Sequence, residues 1–151
     1  MFPLHLPAYE YKLKQSPEKT LIFDSIRRKY VVLTPEEWVR QHFIHYLTGH
    51  LHYPKGLISV ERGMVYNTLA KRTDICVYDT NRQPLLLVEC KAPDVAINPA
   101  VINQATTYNK TLKARLVVLS NGLEHYCWQV DFANDRLQIL DYIPDYRQLV
   151  L

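Results

Sequence analysis

Glycine is scarce in this sequence, with four in 151 residues. Neither GxxxxGK[ST] nor GxGxxG occurs, which excludes the glycine-rich cradles that hold nucleotide phosphates. Cysteine is rarer still. Cys76, Cys90 and Cys127 form no CxxC pair and no even set, which fits a reducing compartment and a cytoplasmic location. Long apolar runs are missing: the longest are LLLV at 85–88 and VVL at 31–33 and 117–119, against the roughly 20 residues needed to cross a bilayer. The opening MFPLHLPAYEYK has no basic stretch ahead of an apolar one, so neither a secretory signal nor a membrane partner is expected.

What is present can fold. Hydrophobic residues make up 48% and charged residues 22%, a balance that buries a core and argues against disorder. No repeat or linker interrupts the chain, so one domain over 1–151 is expected, with its core at about 30–125. The net charge of +3 permits contact with nucleic acid without requiring it.

Three short strand candidates open the chain: YKLK (11–14), LIF (21–23) and RRKYVVL (27–33). A helix is predicted over 35–48, with Thr34 as N-cap, Pro35 at its first position and Glu37 completing a TPEE capping box. Its apolar stripe is Val39, Phe43, Tyr46 and Leu47. Strands LISVE (57–61), TDICVYD (73–79) and LLLVECK (85–91) follow, the last nearly all apolar and therefore central. Asn98 and Pro99 start a second helix to about 112, with Val101, Ala105, Tyr108 and Leu112 on one face. RLVVLS (115–120), HYCWQVD (125–131) and RLQILDY (136–142) complete the pattern. The order predicts an α/β fold, a mixed sheet flanked by helices with a C-terminal hairpin.

The chemistry is carried by RTDICVYD and by E-x-K fifteen positions beyond Asp74. Alternation along a strand puts Glu89 and Lys91 on one face. If 73–79 pairs with 85–91, the turn brings Asp74 opposite that end. Charge inside so apolar a strand must be paired or bind a metal. Two carboxylates and a backbone carbonyl suit a hard cation such as Mg²⁺ or Mn²⁺, and an adjacent lysine can act on an attacking water. The other reading is a Glu–Lys ion pair beside a surface Asp. Glu36 lies on the Val39/Phe43/Leu47 side of the first helix and can face inward, or it can simply complement the helix dipole. Gln104 and Tyr108, four apart, share one face of the second helix, beside the strand's end.

The ordered set TPEEWVRQ, VER, RTDICVYD, LLLVECKAP, NQATTYN and VVLSNG resembles the N-terminal nuclease domain of type I restriction enzyme R subunits, in the PD-(D/E)xK superfamily. The resemblance covers about 30–125. It implies a restriction-endonuclease-like fold with an N-terminal β-rich extension and DNA phosphodiester hydrolysis. It makes Asp74 and Glu89 metal ligands and Lys91 the catalytic lysine, with Glu36 supporting the metal or its water. Gln104 and Tyr108 match the QxxxY element that positions substrate or lysine. Thr73 stands where the family often has Pro. The helicase motor of the R subunit is missing, which implies a separately encoded motor or specificity subunit as partner; a homodimer would address both strands.

Basic residues cluster as Arg27-Arg28-Lys29, Lys71-Arg72 and Lys110/Lys113/Arg115. Gathered near the acids, Lys71, Arg72, Lys110 and Lys113 would contact phosphates; otherwise they are solvated surface. Glu61, at the end of its strand, can add a carboxylate to the site, but a pair with Arg62 or Lys71 is expected. His42, His45, His50 and His52 lack metal-ligand spacing and are expected at the surface. Cys76 and Cys90 are expected as buried hydrophobes on the face opposite the acids. Two further readings stand beside the nuclease: a non-catalytic nucleic-acid-binding or docking module on the same fold, and a structural protein.

Overall fold

A computed structural model describes residues 3–66 and 69–150; the side chains of 62–73 lie outside that description. The chain opens with a small antiparallel sheet, β1 (Leu13–Gln15), β2 (Thr20–Asp24) and β3 (Lys29–Val32), in the order β1-β2-β3. Its middle strand inserts Ile22, fully buried, into the main core.

Helix α1 (Pro35–Gly49) starts as its sequence dictates. The Thr34 hydroxyl accepts from the Glu37 N–H at 3.0 Å, and Pro35 needs no partner at the first position. The buried set is wider than the predicted stripe. Trp38, Val39, Phe43, Ile44 and Leu47 are buried, and so are Glu37, Arg40, Gln41 and His42. Tyr46 is only half-buried. A helix enclosed on more than one side has to satisfy its polar side chains internally.

The main sheet has six strands in the order β4-β5-β6-β7-β8-β9. They are β4 (Ile58–Tyr66), β5 (Leu69–Tyr78), β6 (Pro84–Cys90), β7 (Leu116–Ser120), β8 (His125–Asp131) and β9 (Arg136–Leu140). A single 3₁₀ turn, Lys55–Leu57, leads into β4. Only β6 and β7 are parallel, joined through α2 (Pro99–Leu112) as a β-α-β crossover. The sheet is therefore mixed and flanked by helices, as the sequence predicts. Alternation sorts its side chains between the two faces. Ile75, Val77, Leu86, Val88 and Val118 join the core with α1; Val117, Leu119 and Trp128 pack against Ala105 of α2, and Leu87 against Tyr108.

Helix α2 is capped by the Asn98 carboxamide, which accepts from the Val101 N–H at 3.0 Å. It ends at Lys113, whose φ of 62° is left-handed. The last element, α3 (Tyr146–Leu149), was not read from the sequence; one turn is too short to show a helical period, and only its packing of Tyr146 and Leu149 on the core gives it away. Among the described residues no helix is long and apolar enough to cross a membrane.

Candidate functional site

Strand register decides what meets at the carboxyl end of β6. The pairs Ile75↔Val88 and Cys76↔Leu87, continued by one step, set Asp74 opposite Glu89. The Asp74 Oδ2 accepts from the Cys90 N–H at 2.7 Å. Lys91 lies just past the strand, yet its N–H donates to the Ser120 carbonyl at 2.8 Å, which continues the ladder to β7 and fixes the lysine's backbone. Glu89 and Lys91 line a small cleft with Gln104 and Tyr108 of α2, over Val101, Ala105 and Leu119. Burial, reinforced by the Glu89 carboxylate, pushes the Tyr108 phenol up to about 12, so its proton is retained at neutral pH.

Helix α1 supplies the other side. The Glu36 carboxyl stands close enough to Asp74 and Lys91 to feel the charge of both. Its pKa is raised, first by burial and then by Asp74, against the opposing pull of Arg40 and Lys91. The structure thus brings Asp74, Glu89, Lys91, Glu36, Gln104 and Tyr108 to one edge of the sheet.

The sequence reading missed the arginine at the centre. Arg40 is 5% exposed. Its Nη2 donates to Asp74 Oδ1 at 2.8 Å and to Glu36 Oε1 at 3.3 Å. Its Nη1 donates to Glu37 Oε1 at 2.6 Å and lies 3.0 Å from Glu61 Oε1. Burial alone would lower the guanidinium's pKa, but Asp74 and Glu37 raise it on balance, so it stays charged. A second arginine extends the network. Arg27 Nε donates to Asp24 Oδ2 at 2.7 Å, its Nη2 to both Glu37 oxygens at 3.0 and 3.1 Å, and its Nη1 lies 3.5 Å from Glu61. Gln41 joins Asp24 and Glu37 at 2.8 and 3.0 Å. One signal was legible: Arg40, Ile44 and Leu47 are spaced i, i+4, i+7, which puts an arginine on an apolar stripe.

Several expectations change. The Glu37 side chain turns into this network, so only its N–H serves the cap. Glu61 is ion-paired with Arg27 and Arg40; the expected partners Arg62 and Lys71 lie outside the described side chains. Arg27 is spent internally and is no phosphate clamp. Lys71 and Arg72 lie outside the described side chains. Lys110 and Lys113 are exposed in and just beyond the last turn of α2, where β7 begins, at the end of the crossover remote from Lys91. His42 is buried rather than superficial, its Nδ1 bonded to the Trp38 carbonyl and its ring edge-on to Tyr9, which stacks on His45 at 3.9 Å. Cys90 sits in the α1-side core as expected, whereas Cys76 pairs with Leu87 and shares its face.

The architecture is a mixed α/β sheet whose carboxylates converge beside a β-α-β crossover. The same fold occurs in a fragment of a protein described as an HsdR subunit of a type I restriction enzyme from Vibrio vulnificus YJ016. The match has a TM-score of 0.51 and 18% identity over 78% of this chain and 25% of that one. The model of the family described as type I restriction enzyme R protein N terminus matches residues 35–144, and the chain belongs to that family. The matched region runs past the expected core through the β8–β9 hairpin. No curated protein sequence matches significantly.

Proposed function

We propose that this chain is a divalent-metal-dependent nuclease domain that hydrolyses DNA phosphodiester bonds. One observation carries the reading: Asp74, Glu36, Glu89 and Lys91 come from three separate elements to one sheet edge, beside a cleft floored by α2. The donors suit Mg²⁺ or Mn²⁺. They are all oxygens, and Mg²⁺ needs only one or two carboxylates because it keeps much of its water.

Asp74 and Glu89 would hold the ion, with Glu36 supporting its water. When bound, such an ion polarises a phosphoryl oxygen and offsets the charge that develops on it. Lys91 sets an amine against the attacking water. Tyr108, kept protonated, and Gln104 supply hydrogen-bond donors to a phosphate on the α2 side. The family, described as an R protein N terminus of type I restriction enzymes, favours DNA and a motor or specificity subunit as partners.

The test is cleavage of plasmid and single-stranded DNA with Mg²⁺ or Mn²⁺. Lys91→Ala is expected to lower the rate by about a hundredfold or more. Wild type and variant equally inert across substrates and metals would end the enzymatic reading for this chain. A second reading, a non-catalytic DNA-binding or docking module, draws on Asp74 having both oxygens engaged, by Arg40 and by the Cys90 N–H. DNA binding that survives Glu89→Ala, with no cleavage by wild type, would favour it.

A further inference from the structure

The guanidinium of Arg40 is divided between two jobs. Nη1 faces the pair Glu37 and Glu61, at 2.6 and 3.0 Å; Nη2 faces the pair Asp74 and Glu36, at 2.8 and 3.3 Å. The first pair ties α1 to β4 and, through Arg27, to the small sheet. The second pair belongs to the proposed metal site. Each nitrogen has two hydrogens, so the Nη1 contacts can persist while Nη2 leaves Asp74. Among the described residues Nε has no hydrogen-bond partner, so none of them places a further demand on the side chain's direction. Glu61 has a left-handed φ of 51°, in a strand still in register on both sides through Val60↔Ile75 and Arg62↔Thr73. Strain of that kind persists where the surroundings over-determine it, and here it accompanies a carboxylate shared by both arginines.

We propose that Arg40 competes with a divalent cation for Asp74: it pairs with the carboxylate when no cation is bound, and is kept by Glu37 and Glu61 when Asp74 is released. This deepens the nuclease reading and rests on it. A fixed positive charge 2.8 Å from Asp74 Oδ1 opposes a cation on the same oxygen. By linkage, whatever factor Arg40 takes from cation affinity, the cation takes from the Arg40–Asp74 contact. A purely structural arginine predicts the reverse for its removal, because loss of the network would disorganise the site and weaken binding.

Mn²⁺ binding, read from the electron paramagnetic resonance of the free ion, separates the two in wild type, Arg40→Gln and Asp74→Asn. Arg40→Gln is expected to bind Mn²⁺ about tenfold more tightly than wild type, and Asp74→Asn to lose the site. Arg40→Gln could unfold, so the ¹⁵N resonances of the arginine side chains in wild type give a second reading. Added Mg²⁺ should move the Arg40 signal and leave Arg27 unmoved. Folded Arg40→Gln that binds equally or more weakly, or an Arg40 signal unmoved at saturating Mg²⁺, overturns the proposal. If Asp74→Asn still loses the site, the nuclease reading survives that result. If wild type and Arg40→Gln both fail to bind Mn²⁺, or Asp74→Asn binds as wild type does, both fall together.

Discussion

Asp24 shows at the scale of one side chain how this fold tolerates buried charge. It is fully buried and accepts four hydrogen bonds: Ile26 N–H, Arg27 N–H, Arg27 Nε and Gln41 Nε2, at 2.8, 2.7, 2.7 and 2.8 Å. Burial by itself would raise its pKa, but the bonds from Arg27 and Gln41 outweigh it and hold the carboxyl below its ordinary value. The sign follows from linkage. A carboxyl lowered in the folded state stabilises the fold above its unfolded pKa, and that contribution is lost as pH falls through the folded value. Thermal stability should therefore decline below about pH 4. Asp24→Asn should melt lower at pH 7 by the equivalent of about 3 kcal/mol, and its melting temperature should vary less between pH 5 and pH 3. An Asp24→Asn profile that parallels wild type would assign the acid sensitivity to other carboxyls. None of this was legible in the sequence. Asp24 falls between two strand candidates, and Arg27 opens a run of three basic residues. Arg27–Asp24 and Arg40–Glu37 are local pairs, but Arg27–Glu37 and Arg40–Asp74 join positions ten and thirty-four apart, which only the packing of the chain decides.

Helices were legible as elements because their ends are local chemistry. Thr34-Pro35 and Asn98-Pro99 start α1 and α2 as the sequence predicts, since an N-cap bonds only three residues ahead. The end of α2 needed the structure. Asn109, 2% exposed, accepts from the Ala114 N–H and donates to the Ala114 carbonyl, both at 2.9 Å. That bridge fastens the helix to the residue leading into β7 and supports the left-handed Lys113. Asn109→Ala leaves both groups of Ala114 buried without it, and should cost about 2–4 kcal/mol. Chemical denaturation measures this, and a loss below about 1 kcal/mol would mean the turn finds other partners. The β9 strand was also read in place, but its burial was not: Leu137 and Ile139 are exposed, because α2 covers its neighbours and stops short of the edge.

Across the whole molecule, the N-terminal segment is tied to the loop between β7 and β8. His5 N–H donates to the Gly122 carbonyl at 2.8 Å, and the His125 Nε2 bonds the His5 carbonyl at 2.8 Å. Gly122 has a φ of 86°, and a Cβ there would stand 2.8 Å from Leu4 and 3.0 Å from Val39. The turn, the strap and α1 therefore meet at a point that only glycine fits. Gly122→Ala should destabilise by about 1–3 kcal/mol and speed proteolysis near the N-terminus. Unchanged melting would show that Leu4 gives way without loss. The contact joins Gly122 to Leu4 and Val39, both more than eighty positions away.

By itself the sequence determined the order of strands and helices, the caps that start the helices, and the shared face of Glu89 and Lys91. Each of these depends on neighbours within a few positions, through alternation or helical period. Only the tertiary structure decided that Arg40 stands against Asp74, that Glu37 and Glu61 turn inward, and that Lys113 lies remote from the cleft. Those outcomes arise where distant segments pack, and buried charges must take whatever partners the packing brings within hydrogen-bond reach.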